Sequence, residues 1–154
     1  MLRSWPLLPF ILVAACGLPR DPDKTSDRIA STHELRVGVT LNDPWVTTGG
    51  QAPQGIEADL VRVFANRLDA RVFWSSGSET TLAQSLKHGE IDLAIGGFDQ
   101  KTPWKSIAAV SQPFVETSDK KKHVMLARPG ENNFLLTLDT FLTEHMRSAK
   151  GAGA

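Results

Sequence analysis

The sequence predicts an α/β fold, a single three-layer lobe on a mainly parallel sheet, and three observations carry this. Short β-branched or aromatic runs at Leu35–Thr40, Arg71–Trp74 and Ile91–Ile95 alternate with two segments of helical periodicity. The connections between them are short, so the order strand, helix, strand, helix, strand implies right-handed crossovers and a sheet covered on both faces. The foldable part is no longer than about 115 residues, one ordinary domain.

The N-terminus is a different kind of segment. Arg3 gives a positive start, Trp5 to Val13 a short apolar run, and Ala14-Ala15 the small residues before Cys16, the one cysteine of the chain. This pattern reads as a bacterial lipoprotein signal over residues 1–15, with Cys16 as the lipidated N-terminus and membrane anchor. A run this short is no mature membrane span, which takes roughly 20 apolar residues. Residues 16–32 are rich in Pro, Asp, Lys, Ser and Arg and predict a flexible tether. The domain is expected over 33–147.

Within it, Leu35–Thr40 is the first strand and Asn42-Asp43-Pro44 ends it with turn chemistry. Thr47 to Gln54 is rich in Gly, Gln and Pro and predicts an exposed loop. Ile56, Leu60, Val63, Phe64 and Leu68 then fall at the spacing of one buried helical face. A second strand follows at Arg71–Trp74. Ser78-Glu79 starts a helix carrying Leu82 and Leu86 that Gly89 stops. Ile91–Ile95 is the third strand, ending in Gly96-Gly97. Lys122–Ala127 adds one more strand, and Pro129-Gly130 leads into a helix with Phe134, Leu135, Leu138, Phe141, Leu142 and Met146 on its apolar side. Residues 148–154 are small and polar and predict a disordered tail.

Removing Met1–Ala15 takes out Arg3 alone and leaves 16 basic against 17 acidic residues. That balance gives no electrostatic case for nucleic acid, whose binding rests on basic patches. A single cysteine excludes an internal disulfide, and His33, His88, His123 and His145 are scattered without metal-ligand spacing. No metal and no cofactor is expected.

Ligands of open parallel sheets bind beyond the carboxyl ends of the strands. Two loops leave such ends: Asn42-Asp43-Pro44-Trp45, and Gly96 to Lys105 with Gly97, Phe98, Asp99, Thr102, Trp104 and Lys105. Each sets an aromatic ring beside polar groups, which suits a small zwitterionic or cationic solute, and glycines let backbone amides approach it.

Leu35–Thr40, Gly55-Ile56-Glu57-Ala58-Asp59-Leu60, Leu86 to Ile95, and Thr102-Pro103-Trp104-Lys105 with Ser111-Gln112-Pro113-Phe114 together resemble the first lobe of the family 3 extracellular solute-binding proteins. The resemblance implies a periplasmic-binding-protein-like lobe, an amino-acid-like solute, an ABC permease as partner and a periplasmic location. It implies Asn42, Asp43, Trp45, Gly97, Phe98, Asp99, Thr102, Trp104 and Lys105 as ligand-binding residues. Where the family carries Thr-Pro-Glu-Arg, with the arginine on the ligand carboxylate, this chain has Thr102-Pro103-Trp104-Lys105. Lysine keeps the charge and loses the two-pronged geometry. Asp99 stands near the place of a neutral hydroxyl residue that helps hold that carboxylate.

The family inserts a second lobe after a segment like Gln112-Pro113-Phe114. Here Lys122 to Leu142 resembles the closing strand and terminal helix instead, so one lobe is expected. Its ligand-facing side, with Trp45, Phe98 and Trp104, is then uncovered, which makes a homodimer or a docked partner through that side an alternative to solute binding. Enzyme activity is not expected. The acidic candidates are Glu57, Glu79 and Asp99, but Glu57 lies in the helix signature and Glu79 at a helix start, where an acid stabilises the dipole.

Overall fold

The computed structural model describes residues 21–152. The signal segment 1–15, Cys16 and the first part of the expected tether lie outside the described residues. The parallel part of the sheet forms as the alternation requires. β1 (Glu34–Val39) lies between β4 (Arg71–Ser76) and β5 (Leu93–Asp99), parallel to both, with Glu34 opposite Arg71 and Val37 opposite Leu93. α2 (Ile56–Arg67) and α3 (Glu79–His88) are the crossovers. Ser78 caps α3 by accepting the Thr81 N–H, and Gly89 closes it in the left-handed conformation.

Beyond β5 the sheet turns antiparallel. β8 (Lys122–Ala127) pairs with β5, and two short strands, β6 (Ala109–Val110) and β7 (Val115–Glu116), pair with opposite halves of β8. The sheet order is β4-β1-β5-β8-β6, with β7 also on β8. Residues 117–121 close β7 onto β8 as a tight hairpin, Glu116 opposite Lys122, with the Thr117 hydroxyl donating to Asp119. This hairpin occupies the place where a second lobe was expected to depart, so the described residues make one lobe.

Two layers of apolar side chains cover the sheet. On one face Leu35, Val37, Leu93 and Ile95 meet Phe64 of α2 and Phe134, Leu138 and Leu142 of α4 (Asn132–Ala152). On the other, Ala94, Phe98, Val124 and Leu126 meet Leu82 and Leu86 of α3. Phe64 packs on Phe134 and Phe141 at centroid distances of 6.0 and 5.1 Å.

Four sequence expectations are corrected. The exposed loop from Thr47 to Gln54 contains a two-residue antiparallel ladder, β2 (Thr47–Thr48) with β3 (Pro53–Gln54). α4 continues through the expected tail to Ala152. The buried stripe of α2 is rotated, because Ile56 and Val63 are about half exposed while Glu57, Val61, Phe64 and Ala65 are buried. Ile56 and Val63 instead line an open apolar groove of about 370 Å³ with Phe114 and Met146.

The fourth correction concerns the tether, whose second half is a helix, α1 (Thr25–Thr32). Its one apolar anchor, Ile29, is buried against the first core layer, and the rest of its fixing is polar. The buried carboxylate of Glu131 accepts the Asp23 N–H at 2.9 Å and the Thr25 N–H at 2.7 Å. Two bonds from amides to one carboxylate match the helix N-terminus in charge as well as in geometry. Arg28 donates to the buried Asp92 at 2.5 Å, and Arg36 of β1 donates to the same carboxylate at 2.7 Å. Asp21 accepts the Asn133 N–H, so the chain is fastened to the first turn of α4 from its first described residue.

Candidate functional site

The carboxyl ends of β1, β4 and β5 form one rim of the sheet, and three loops rise from it. The loop after β1 folds back on itself, with Asn42 bridged to Val46 and a cis Asp43-Pro44 peptide. Asn42 reaches across and donates its Nδ2–H to the Gly96 carbonyl at 2.9 Å. The loop after β4 is short and passes straight into α3 at Glu79. The loop after β5 runs through a 3-10 turn, Pro103–Ser106, whose start Thr102 caps by accepting the Trp104 N–H.

At the centre of the rim β5 breaks register with β8 between Ala94 and Phe98. Gly96 and Gly97 make this bulge, and their two N–H groups converge on a single acceptor, Glu57 Oε2, at 2.7 and 2.9 Å. Gly97 has φ 71°, and a Cβ there would stand 2.5 Å from Asn42 Nδ2 and 2.6 Å from Trp45 Cδ1. Only glycine fits both the backbone and the space. Glu57 is fully buried, and its Oε1 has no hydrogen-bond partner among the described residues. Burial pushes its pKa up to about 7, against the opposing pull of the Gly97 and Gly96 amides.

Next to the bulge, the half-buried ring of Trp45 stacks on the buried His123 ring at 3.7 Å between centroids and meets Phe114 edge-on at 6.4 Å. Burial lowers the His123 pKa, with the nearby Asp99 acting in the other direction. Asn42, Trp45 and Gly97 are therefore brought together. Phe98 is not among them: its side chain shares a face with Ala94 and lies in the second core layer, 3% exposed, so only its backbone reaches the rim.

The remaining sequence-predicted residues sit around this centre. Asp99 closes its own turn by accepting the Lys101 N–H at 2.7 Å and faces an open hollow of about 580 Å³ against the 117–121 hairpin. Asp43 and Lys105 are exposed, and Thr102 serves as the cap just described. The indole of Trp104 is half-buried on the second core layer, and its Nε1–H donates to Glu79 at 3.0 Å. Among the described residues no group of three or more His, Cys, Asp or Glu is placed to hold a metal ion.

Sequence reasoning missed the roles of Glu57, Glu79 and His123. For Glu57 a signal was present. Glu57, Val61, Phe64 and Ala65 follow the i, i+4, i+7, i+8 spacing, so an acid stood on a buried stripe, where it needs a partner.

Residues 35–150 match the model of the bacterial extracellular solute-binding proteins, family 3. The chain belongs to this family. The fold agrees. The arginine-bound form of domain 1 from TmArgBP, of T. maritima, superposes with a TM-score of 0.70 at 23% identity, over 77% of this chain and 98% of that one. An ancestral cationic amino acid solute-binding protein superposes with a TM-score of 0.73 at 12% identity, over 82% and 95%.

Among curated proteins the chain is similar to the membrane-bound lytic murein transglycosylase F of Vibrio cholerae serotype O1, 31% identical over 98 residues. That alignment takes in 62% of this chain and 18% of the transglycosylase. The protein of the same name from Idiomarina loihiensis is 28% identical over 115 residues, 74% of this chain and 25% of that one. The chain thus spans a quarter or less of the curated relatives it matches. Among the described residues no helix is long and apolar enough to cross a membrane.

Proposed function

We propose that this family 3 lobe binds a small amino-acid-like solute on its rim, as a periplasmic lipoprotein anchored through Cys16 that serves an ABC permease. The observation that carries the solute reading is the bulge at Gly96-Gly97. A buried carboxylate takes both adjacent backbone amides, so the amides are spent on Glu57, and the same glycines let Asn42 and Trp45 close onto the strand end, which holds the loop after β1 in place on the rim. Such a site is set before the solute arrives, which reduces the ordering entropy that binding must overcome. Lys105, exposed on the loop above, supplies a cation for a carboxylate.

The 117–121 hairpin leaves the rim without a facing lobe among the described residues, so the reading requires that one lobe hold a solute alone. Domain 1 from TmArgBP is an arginine-bound protein of one lobe's size, of which this chain covers 98%. An open rim screens polar contacts, so affinity should be modest.

Titrating the protein with amino acids, opines and polyamines should change its tryptophan fluorescence, since Trp45 and Trp104 flank the rim. Lys105→Ala should then weaken binding by about 1–3 kcal/mol with no change in melting temperature. A panel that leaves both fluorescence and melting temperature unmoved overturns the solute reading in favour of a docking module, for a permease, a second copy or a larger assembly. The anchor is tested separately. Wild-type protein should take up labelled fatty acid and sediment with membranes, whereas Cys16→Ser should do neither; identical soluble products from both would exclude lipidation.

A further inference from the structure

We propose that β4 is a dimerisation edge, to which a second copy of this chain adds its own β4 antiparallel, with Phe73 opposite the partner's Phe73. β4 is the outer strand of the sheet, paired with β1 on one side and with no strand among the described residues on the other. It is six residues long and has no Pro, Lys, Gly or bulge, the devices that keep an edge from pairing. The opposite edge of the sheet is built from strands two residues long and offers no such template. A pairing that uses β4 alone therefore closes at two copies.

Backbone direction and side-chain pairing select the register. Arg71 donates its N–H to the His33 carbonyl and Gly77 to that of Val39, so the odd-numbered residues of β4 turn their polar groups toward β1. Those of Val72, Trp74 and Ser76 point outward, because successive residues alternate. A two-fold axis at Phe73 sets Val72 and Trp74 opposite the partner's Trp74 and Val72 as hydrogen-bonded pairs. Phe73 then meets its own copy in the non-hydrogen-bonded position, where side chains stand closest.

The side chains fit the same register. Val72 and Trp74 lean on the first core layer, with Arg62 held 5.6 Å from the Trp74 ring centroid. Phe73 turns to the other face and is 47% exposed. The pairing gives aromatic on aromatic on one face and aromatic on β-branched on the other, both favoured across strands. Arg71, the one charge of β4, falls opposite the partner's Ser75, so no like charges meet. An axis at Trp74 would instead set Phe73 against Ser75 and leave its ring uncovered. Antiparallel addition also puts the two rims at opposite ends of the joined sheet, so neither copy covers the other's rim.

Disulfide trapping and sedimentation of the full chain, extracted in detergent, test this. Cα atoms about 4.5 Å apart across a non-hydrogen-bonded pair lie within disulfide reach, about 4.4–6.8 Å. Under mild oxidation Phe73→Cys is expected to give at least about tenfold more covalent dimer than wild type, whose Cys16 is one control, or than Leu136→Cys on an exposed face of α4. Wild type without oxidant should sediment as a concentration-dependent dimer. Phe73→Lys sets ammonium against ammonium and should weaken that association at least about tenfold, with an unchanged melting temperature in dilute solution. Trapping at position 73 reads the contact without relying on the lysine variant to fold. A wild type that stays monomeric at every concentration, trapping at Trp74→Cys in preference to Phe73→Cys, or equal trapping at Leu136→Cys overturns the proposal.

Discussion

Glu57→Gln should abolish a loss of stability that the wild-type protein undergoes as pH rises from about 4.5 to about 7. Burial holds the folded-state pKa near 7, against an ordinary 4.5. Below the ordinary value both folded and unfolded chains carry the proton. Between the two values the unfolded chain releases it while the folded chain keeps it, so stability falls with rising pH until the folded-state value is passed. A gap of this size corresponds to about 3 kcal/mol. Glutamine keeps a carbonyl oxygen for the Gly96 and Gly97 amides and does not titrate. Its NH₂ takes the buried place of the unpartnered Oε1, so some stability is lost at low pH, where the two proteins differ most.

Other groups bend the curve too. His123, lowered by burial, adds stability as pH rises, and the half-buried Asp139, raised by burial, removes it. The difference between wild type and variant isolates Glu57. Denaturant melts at about pH 5, 6, 7 and 8 should show wild type descending relative to the variant by about 3 kcal/mol. Parallel curves would mean that Glu57 does not hold a proton in the folded lobe.

Asp92→Ala should remove about 3–5 kcal/mol, the range for breaking a buried ion pair. The Asp92 side chain is fully buried and accepts from Arg28, from the Arg36 side chain and from the Arg36 backbone N–H at 2.9 Å. Its loss strands two guanidinium groups whose side chains are only 26% and 29% exposed. It also cuts one of the two polar fastenings of α1. Amides of Thr25–Thr32 should therefore lose hydrogen-exchange protection ahead of the rest of the lobe. Breaking Arg67–Glu144, where both side chains are about half exposed, should change stability by less than about 1 kcal/mol and serves as the control. An Asp92→Ala protein within about 1 kcal/mol of wild type, with α1 still protected, would show that Ile29 and the Glu131 bonds hold the helix without the Asp92 pairs.

Much of this lobe was legible in the sequence because its central elements are fixed by neighbours in the chain. Strands β1, β4 and β8, helices α2 and α3 and the Gly96-Gly97 break all follow from local patterns of apolar residues, caps and glycines. α1 was not legible for the same physical reason. It has a single apolar anchor, and its partners Asp92 and Glu131 lie 64 and 106 residues away, where no periodicity records them. At the rim the composition of the loops was readable and the direction of each side chain was not. Phe98 turns inward because the bulge spends four residue steps of β5, Ala94 to Phe98, against two of β8, an even excess that keeps Ala94 and Phe98 on one face. Trp104 was chosen for its ring, yet the structure adds its N–H and the Glu79 carboxylate opposite, a pairing that spans 25 residues.

The fastening of Asp21 to the start of α4 also fixes where the chain enters the lobe. The end of β8, just before α4, lies beside the start of β5, at the pole opposite the rim, and a six-residue strand separates the two poles by about 20 Å. A pull on the chain ahead of Asp21 is therefore borne by α1 and its bonds to Glu131 and Asp92, and it leaves the rim loops unloaded.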